Sequence, residues 1–365
     1  MANKYNSKKH PVENVLGPHF SEHIKHQRTY RNTDANWQDL EEQKERTEKN
    51  EDLLKYSYEG NKKLVRVALT TGVGADINAV DESGNNALIY AVYSSDLATV
   101  KYLLNYHKDE EGFDIPDIEP INLNHLNNNG LSALHLAVTL NNNRIVKELL
   151  SAGINANIVG NYVETPIFVA TRKDNQDMID ILKNFSKANS ANINAVNGEG
   201  HTPLIVASQN RNRQEAFLKL LELGADMLAK DFNGRNAFMH SANNNCSAMM
   251  DIMLKRTPNF EEMVNNQDIN GVSTMMILAK RGNREALRVL IARGANPFLK
   301  DNEGNMAVDY AIMAENSTCK EILQKTQRIY EKANLIENKT EKQTYLKTAL
   351  GEFAKQNRVE NSCIK

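Results

Sequence analysis

Gly130-Leu131-Ser132-Ala133-Leu134-His135, followed at the end of the same unit by Leu149-Leu150-Ser151-Ala152-Gly153-Ile154-Asn155-Ala156-Asn157, is the stretch that decides the fold. Its first half is a glycine, a small polar residue and an apolar run. Its second half is an apolar pair, a glycine and a polar turn. A small polar residue before an apolar run can accept from the free backbone N–H groups of a helix start. A glycine after such a run suits the left-handed residue that ends a helix. The stretch therefore reads as two short helices with a turn between them.

Working outward, both halves recur in phase. The first returns as Gly84-Asn85-Asn86-Ala87-Leu88, Gly200-His201-Thr202-Pro203-Leu204, Gly234-Arg235-Asn236-Ala237-Phe238, Gly271-Val272-Ser273-Thr274-Met275 and Gly304-Asn305-Met306-Ala307-Val308. At Val163-Glu164-Thr165-Pro166-Ile167 a valine replaces the glycine. The second returns as Leu220-Leu221-Glu222-Leu223-Gly224-Ala225-Asp226 and Leu290-Ile291-Ala292-Arg293-Gly294-Ala295-Asn296-Pro297. From Gly130 onward the anchors step by about 33 to 37 residues, a period that belongs to stacked helical repeats. The longer first step, from Gly84, is taken up by an acidic insertion near 107–120, which reads as a surface loop.

Two motifs repeating in phase resemble the ankyrin-repeat family, over about residues 50–335. The resemblance implies an all-α solenoid of stacked helix-turn-helix units, about 8 repeats including caps. Ser132, Thr165 and Thr202 are expected to cap first helices, with Pro166 and Pro203 at the first helical position, where a missing N–H costs little. Second helices show apolar residues at i, i+3 and i+4, as in Ile145-Val146-Leu149-Leu150 and Leu287-Leu290-Ile291, and end at Gly153, Gly224 and Gly294. Each helix pair carries apolar surface on both sides, so a repeat needs its neighbours. Residues 51–80 and 302–334 are read as caps. Leu346, Leu350 and Phe353 mark a C-terminal amphipathic helix within 336–365, and 1–49 is read as a polar, partly disordered segment.

Composition bounds the chemistry. The chain has 365 residues, 41% of them hydrophobic, which supports an array of packed helices better than one large core. Net charge is -2, so no global bias toward nucleic acid or acidic membrane exists. Cys246, Cys319 and Cys363 are far apart and form neither a disulfide framework nor a zinc spacing, so they read as free thiols in a reducing compartment. The N-terminus has no apolar signal core and the chain no membrane-length apolar run. A cytoplasmic location is expected, the alternative being export into a host cell without a Sec signal. The glycosylation pattern Asn316-Ser317-Thr318 is therefore expected to be unused. The abundant asparagine is read as compositional drift.

Motifs for catalysis are lacking: there is no G-x-S-x-G, H-E-x-x-H, Walker loop or kinase set. Gly72-Val73-Gly74 reads as a helix exit rather than a nucleotide turn. His19, His23 and His26 share a helical face but lack a completing ligand, so no metal or cofactor is expected. The cationic residues at turns lack the interleaved aromatics that stack on bases, so no nucleic acid is expected either. His135 stands where the family has a histidine that ties neighbouring repeats by hydrogen bonds. The other repeats carry Ile89, Phe168, Ile205, Met239, Met276 and Asp309 there.

By resemblance, the chain is a scaffold or adaptor for a protein partner, most simply as a monomer. The family's contacts fall on hairpin tips and on the inner face of first helices. Carried onto this chain, the tips are Tyr162, Glu164, Phe232, Arg235 and Ile269. The inner-face positions are Tyr93, Leu140, Arg172, Lys173, Gln209, Asn210, Lys280 and Arg281. Two other readings stand beside this one: a secreted effector of an intracellular bacterium, and an enzyme subunit whose catalytic domain is supplied elsewhere, because the flanks are too short to hold one.

Overall fold

The computed structural model describes residues 37–108, 112, 118–187, 189–257 and 260–360. Side chains of 37–38 and 353–360 are not among the features described. Consequently His19, His23, His26, most of the acidic insertion and the Phe353 side chain lie outside the described residues. Among those residues the secondary structure is helical, with only isolated β-bridges such as Val80–Asn86, Lys230–Asn236 and Gln267–Ser273.

The chain divides into two compact units. The first runs up to Ala170 and includes Asp177–Asn192. It contains α1 (Trp37–Tyr58), α2 (Lys62–Thr70), α3 (Ala87–Tyr93), α4 (Leu97–Leu104), α5 (Ala133–Thr139), α6 (Asn143–Ser151) and most of α7 (Pro166–Arg172) and α8 (Gln176–Asn184). The second comprises Thr171–Gln176 and everything from Ile193. It contains α9 (Pro203–Ser208), α10 (Gln214–Glu222), α11 (Ala237–Asn243), α12 (Ser247–Arg256), α13 (Phe260–Val264), α14 (Thr274–Arg281), α15 (Arg284–Ala292), α16 (Ala307–Met313), α17 (Ser317–Asn334) and α18 (Lys339–Glu360).

The first helices are short and almost wholly buried. Ala133, Leu134, Leu136, Ala137 and Val138 of α5 are all inaccessible, and α9 buries every residue from Pro203 to Ser208. The small polar residues cap as expected at most sites. Ser132 accepts from His135 N–H at 3.2 Å, Thr202 from Ile205 N–H at 3.3 Å, and Ser273 from Met276 N–H at 3.4 Å. Thr165 departs from the expectation: its hydroxyl is buried with no hydrogen-bond partner among the described residues, although Pro166 does begin α7. Second helices bury one stripe, as in Ile145, Val146, Leu149 and Leu150 of α6 and Leu287, Leu290 and Ile291 of α15.

Two glycines show why the motif needs that residue, for different reasons. Gly224 ends α10 at φ 83° with open space around it, so only the left-handed backbone demands glycine. Gly200 has φ 77°, and a β-carbon there would lie 2.6 Å from the Phe232 backbone nitrogen. Here the glycine also lets the next repeat's loop approach.

The start of the array differs from expectation. The polar segment was expected to reach residue 49, but α1 begins at Trp37. Its first half is rich in Glu, Gln, Lys and Arg, which favour helix without producing an apolar period. The hydrophobic pattern therefore becomes visible only near Leu53 and Leu54, which are buried. Earlier residues of α1 are already tied in: Lys49 Nζ donates to Thr71 Oγ1 at 3.0 Å, and Asn50 Oδ1 accepts Asp76 N–H at 2.8 Å. At the other end, α18 packs against α15 and α17 and buries Leu350.

The asparagines have a structural task, which corrects the reading of compositional drift. In several turns that follow a second helix an Asn carboxamide accepts a backbone N–H from the next turn. Asn78 Oδ1 takes Asn122 N–H at 2.7 Å, Asn124 takes Asn155 at 2.9 Å, and Asn157 takes Asn192 at 2.6 Å. In the second unit, Asn194 takes Asp226 at 3.0 Å and Asn265 takes Asn296 at 2.9 Å. Others cap second helices, as Asn142 does for Ile145 at 3.2 Å. Side-chain amides supply acceptors that isolated turns lack.

Candidate protein-binding surface

Most anchor loops are organised by one carboxylate or carboxamide, at Asp81, Asn127, Asn197, Asp231, Asp268 and Asp301, while the loop before Val163 has Gly160 at that position. In the second unit Asp231 Oδ1 accepts Asn233 and Arg235 N–H groups at 2.9 and 2.8 Å. Asp268 Oδ1 does the same for Asn270 and Val272, at 3.0 and 2.9 Å, and Asp301 for Glu303 and Asn305, at 2.9 and 2.8 Å. With the loop backbone satisfied from within, its tip points outward. Adjacent tips are then stitched by backbone bonds: Ile269 N–H to Asn233 carbonyl at 2.9 Å and Asn302 N–H to Asn270 carbonyl at 3.0 Å. A longer bond of 3.4 Å joins Phe232 N–H to the Glu199 carbonyl.

This row carries exposed apolar side chains on a rigid base. Phe232 is 70% exposed and Ile269, on the neighbouring tip, is 60% exposed. The tip residues expected to contact a partner do not all share that freedom. Arg235 is locked: its Nε and guanidinium Nη2 donate to Asp268 Oδ2 at 2.9 and 2.8 Å. The Asp268 carboxylate is fully shielded from solvent, so Arg235 joins one repeat to the next. Arg235, expected as a partner contact, thus already has a structural partner within the chain. A cation beside a buried carboxylate is held by Coulomb attraction and by the cost of leaving that charge unpaired.

The remaining second-unit positions are distributed along first-helix ends. Arg172, Lys173, Asn210, Lys280 and Arg281 are exposed and Gln209 is half-buried. Arg281 is also anchored, donating to Asn243 Oδ1 at 2.9 Å, and Asn210 Oδ1 accepts Asn212 N–H at 2.9 Å. In the first unit, Tyr162 is exposed, whereas Tyr93, Leu140 and Glu164 are half-buried. Tyr93 stacks on Tyr58 with ring centroids 5.3 Å apart. Glu164 offers its carbonyl to His135 Nε2 at 3.2 Å, while His135 Nδ1 lies 2.9 Å from Ser132 Oγ. His135 is thus the inter-repeat tie that the resemblance implied. Burial holds its protonation below the ordinary histidine range.

Family descriptions match this arrangement. Ankyrin repeats (3 copies) match residues 53–159 and 141–231, and ankyrin repeats (many copies) match 259–311. The chain belongs to the ankyrin-repeat family. Among curated proteins it is similar to the B-cell lymphoma 3 protein homolog of Mus musculus, 31% identical over 223 residues, 61% of this chain and 47% of the relative. It is also similar to the NF-kappa-B inhibitor zeta of Homo sapiens, 24% identical over 212 residues, 49% of this chain and 30% of the relative. The chain thus spans about half or less of the length of these relatives. Among solved structures, the ankyrin repeat domain of Bcl-3, described as a unique member of the IkappaB protein family, aligns with TM-score 0.57 and 27% identity. That alignment covers 67% of this chain and all of that domain, 100%.

One cluster escaped sequence reasoning. His201, Asp231 and His240 come from two successive anchor loops and the helix that follows, and one donor atom of each lies within 4.8 Å of the others. Their sequence spacing follows no known ligand pattern. The usable signal was the repeat register itself, since Asp231 and His240 stand where Asp81 with Tyr90 and Asp301 with Tyr310 stand in other repeats.

Proposed function

We propose that this chain is a non-catalytic protein-binding module that docks its partner on the tip row of the second unit, with Phe232 and Ile269 as anchors. The observation that carries the reading is their large exposure on adjacent, backbone-stitched loops. Aromatic side chains on a pre-organised base lose little entropy on binding and dominate interface energy. Lys280 and Arg281 on α14, Arg172 at the end of α7 and Lys173 just beyond it supply cationic groups suited to an acidic rim on the partner. Relatives named as NF-kappa-B inhibitors support the same class of activity, one protein holding another. Arg235 is excluded from the contact set because its charge is spent on Asp268.

The test compares capture and titration by the parent chain, Phe232→Ala/Ile269→Ala, and a control at the exposed Lys147 of α6. A partner recovered by the parent and the control is expected to bind the double variant about 1–3 kcal/mol more weakly, with unchanged melting. Equal affinity for all three would remove the tip row as the interface.

A further inference from the structure

The aspartates of the anchor loops, buried at 231, 268 and 301 and half-buried at 81, each use Oδ1 for their own backbone and leave Oδ2 to a side chain. At three of the aspartates that oxygen meets unambiguous donors, with Asn85 and Asn305 Nδ2 adding longer contacts of 3.4 and 3.2 Å to Asp81 and Asp301. Tyr90 and Tyr310, each nine residues on from the aspartate, donate hydroxyls to Asp81 and Asp301, the latter at 2.8 Å. Arg235, reaching from the preceding tip, serves Asp268. Asp231 is the exception because both routes end in imidazoles. His240 occupies the tyrosine's register with Nε2 2.8 Å from Oδ2, and His201 occupies the arginine's register with Nε2 3.4 Å from the same oxygen.

The state of His201 makes this unusual. Its Nδ1 lies 2.9 Å from Glu199 Oε2, which only accepts, so Nδ1 carries a proton. Gln209 Nε2, at 3.4 Å, makes a weaker contact with the same nitrogen. In that tautomer the Nε2 lone pair faces a carboxylate lone pair, a contact that either a second ring proton or a bound metal ion would relieve. A separation of 3.4 Å is long for an ion-pair hydrogen bond but close to the roughly 3.3 Å edge between two ligands of a tetrahedral centre with ~2.0–2.1 Å bonds, whereas the 2.8 Å between His240 Nε2 and the same oxygen is a hydrogen bond that must open by about half an ångström to admit a metal. The two imidazole side chains are 12% and 11% exposed and Asp231 is 0% exposed, so the site is nearly dry yet reachable.

We propose that His201, Asp231 and His240 form a binding site for a divalent transition metal of the zinc class. His201 Nε2, Asp231 Oδ2 and His240 Nε2 are the ligands, and the fourth position is left to water or a partner group. Two imidazoles and a carboxylate are the donor set such borderline cations prefer. Glu199 plays the supporting part that carboxylates play behind metal-bound histidines, fixing the tautomer of His201. Asp231 is held by Asn233 and Arg235 N–H groups through its other oxygen. Binding requires His240 to present an Nε2 lone pair: a neutral ring does so by carrying its one proton on Nδ1, with no net release, and an imidazolium does so by giving up its Nε2 proton. The cation Arg235, which acts on His240, is drawn off by Asp268. The metal would clip one anchor loop to the next at the loop that carries Phe232. This inference stands independently of the docking proposal.

The test uses the full chain, stripped with chelator, and titrates Zn2+ by calorimetry and Co2+ by visible absorption. His240→Tyr restores the Tyr–Asp pair found in two other repeats, so it is designed to fold; His201→Asn places at 201 the residue type that stands at 85 and 305. The parent is expected to bind one Zn2+ at the cluster, to give the strong visible bands of low-coordinate Co2+, and to melt at higher temperature with Zn2+. Each variant should bind at least about tenfold more weakly, with no Co2+ band and no Zn2+-dependent shift in melting. Circular dichroism identifies a variant that has lost its fold, and the other variant is then decisive. A parent with no Co2+ band, or variants that titrate like the parent because the metal sits elsewhere, such as the N-terminal histidines, would overturn the proposal.

Discussion

Val163 stands where the other anchors have glycine, and it keeps their left-handed backbone, φ 58° against 77° at Gly200. A β-branched residue is poorly suited to that region. Val163→Gly is therefore expected to stabilise the chain by about 1 kcal/mol, the scale of left-handed strain less the flexibility that glycine adds to the unfolded chain. Urea unfolding checks this, and a lower midpoint would show that the valine side chain is needed. His135 gives a pH prediction. Burial lowers its folded pKa below its unfolded value, so the unfolded chain takes up the proton first as pH falls. Its contribution to stability is full above about pH 6.5 and declines as pH drops below that value. His135→Gln should flatten that part of the stability-versus-pH curve. An identical acid slope in parent and variant would place the dependence on other groups.

Between elements, the informative contacts are those that cross from one repeat to the next. Arg235→Ala should cost about 1–3 kcal/mol, because it leaves Asp268 shielded from water with one oxygen lacking its cation. Asp268→Asn in the same background should recover part of that loss, which a double-mutant cycle by urea unfolding measures. If Arg235→Ala melts like the parent, the ion pair contributes nothing and Arg235 returns to the free tip residues. Helix stripes follow a simpler rule. Leu149 on α6 and Leu220 on α10 are both 0% exposed, and truncation of either to Ala should cost about 2–5 kcal/mol.

For the molecule as a whole, the ends matter most, since a stack of two-sided repeats exposes apolar surface wherever it stops. Helix α18 covers α15 and α17 and buries Leu350. Truncation after Asn338 is expected to lower stability by about 2 kcal/mol or more, at least the scale of one buried leucine, and to increase binding of an apolar dye. Unchanged melting would mean that α17 closes the stack unaided.

The sequence by itself determined the repeat, its period and its helical character. Local rules suffice for that: Gly130, Ser132, Gly153 and the Ile145-Val146-Leu149-Leu150 stripe act on their own backbone or helix face. It also placed Phe232 and Ile269 on tips. Tertiary structure decided which tip residues are free. Arg235 and Phe232 sit three positions apart in one loop, yet one grips the next repeat's aspartate and the other meets solvent. It likewise gave the asparagines their rungs and drew His201, Asp231 and His240 together. These outcomes depend on the distance between successive loops, which is set by the packing of helices rather than by any local preference of the residues involved.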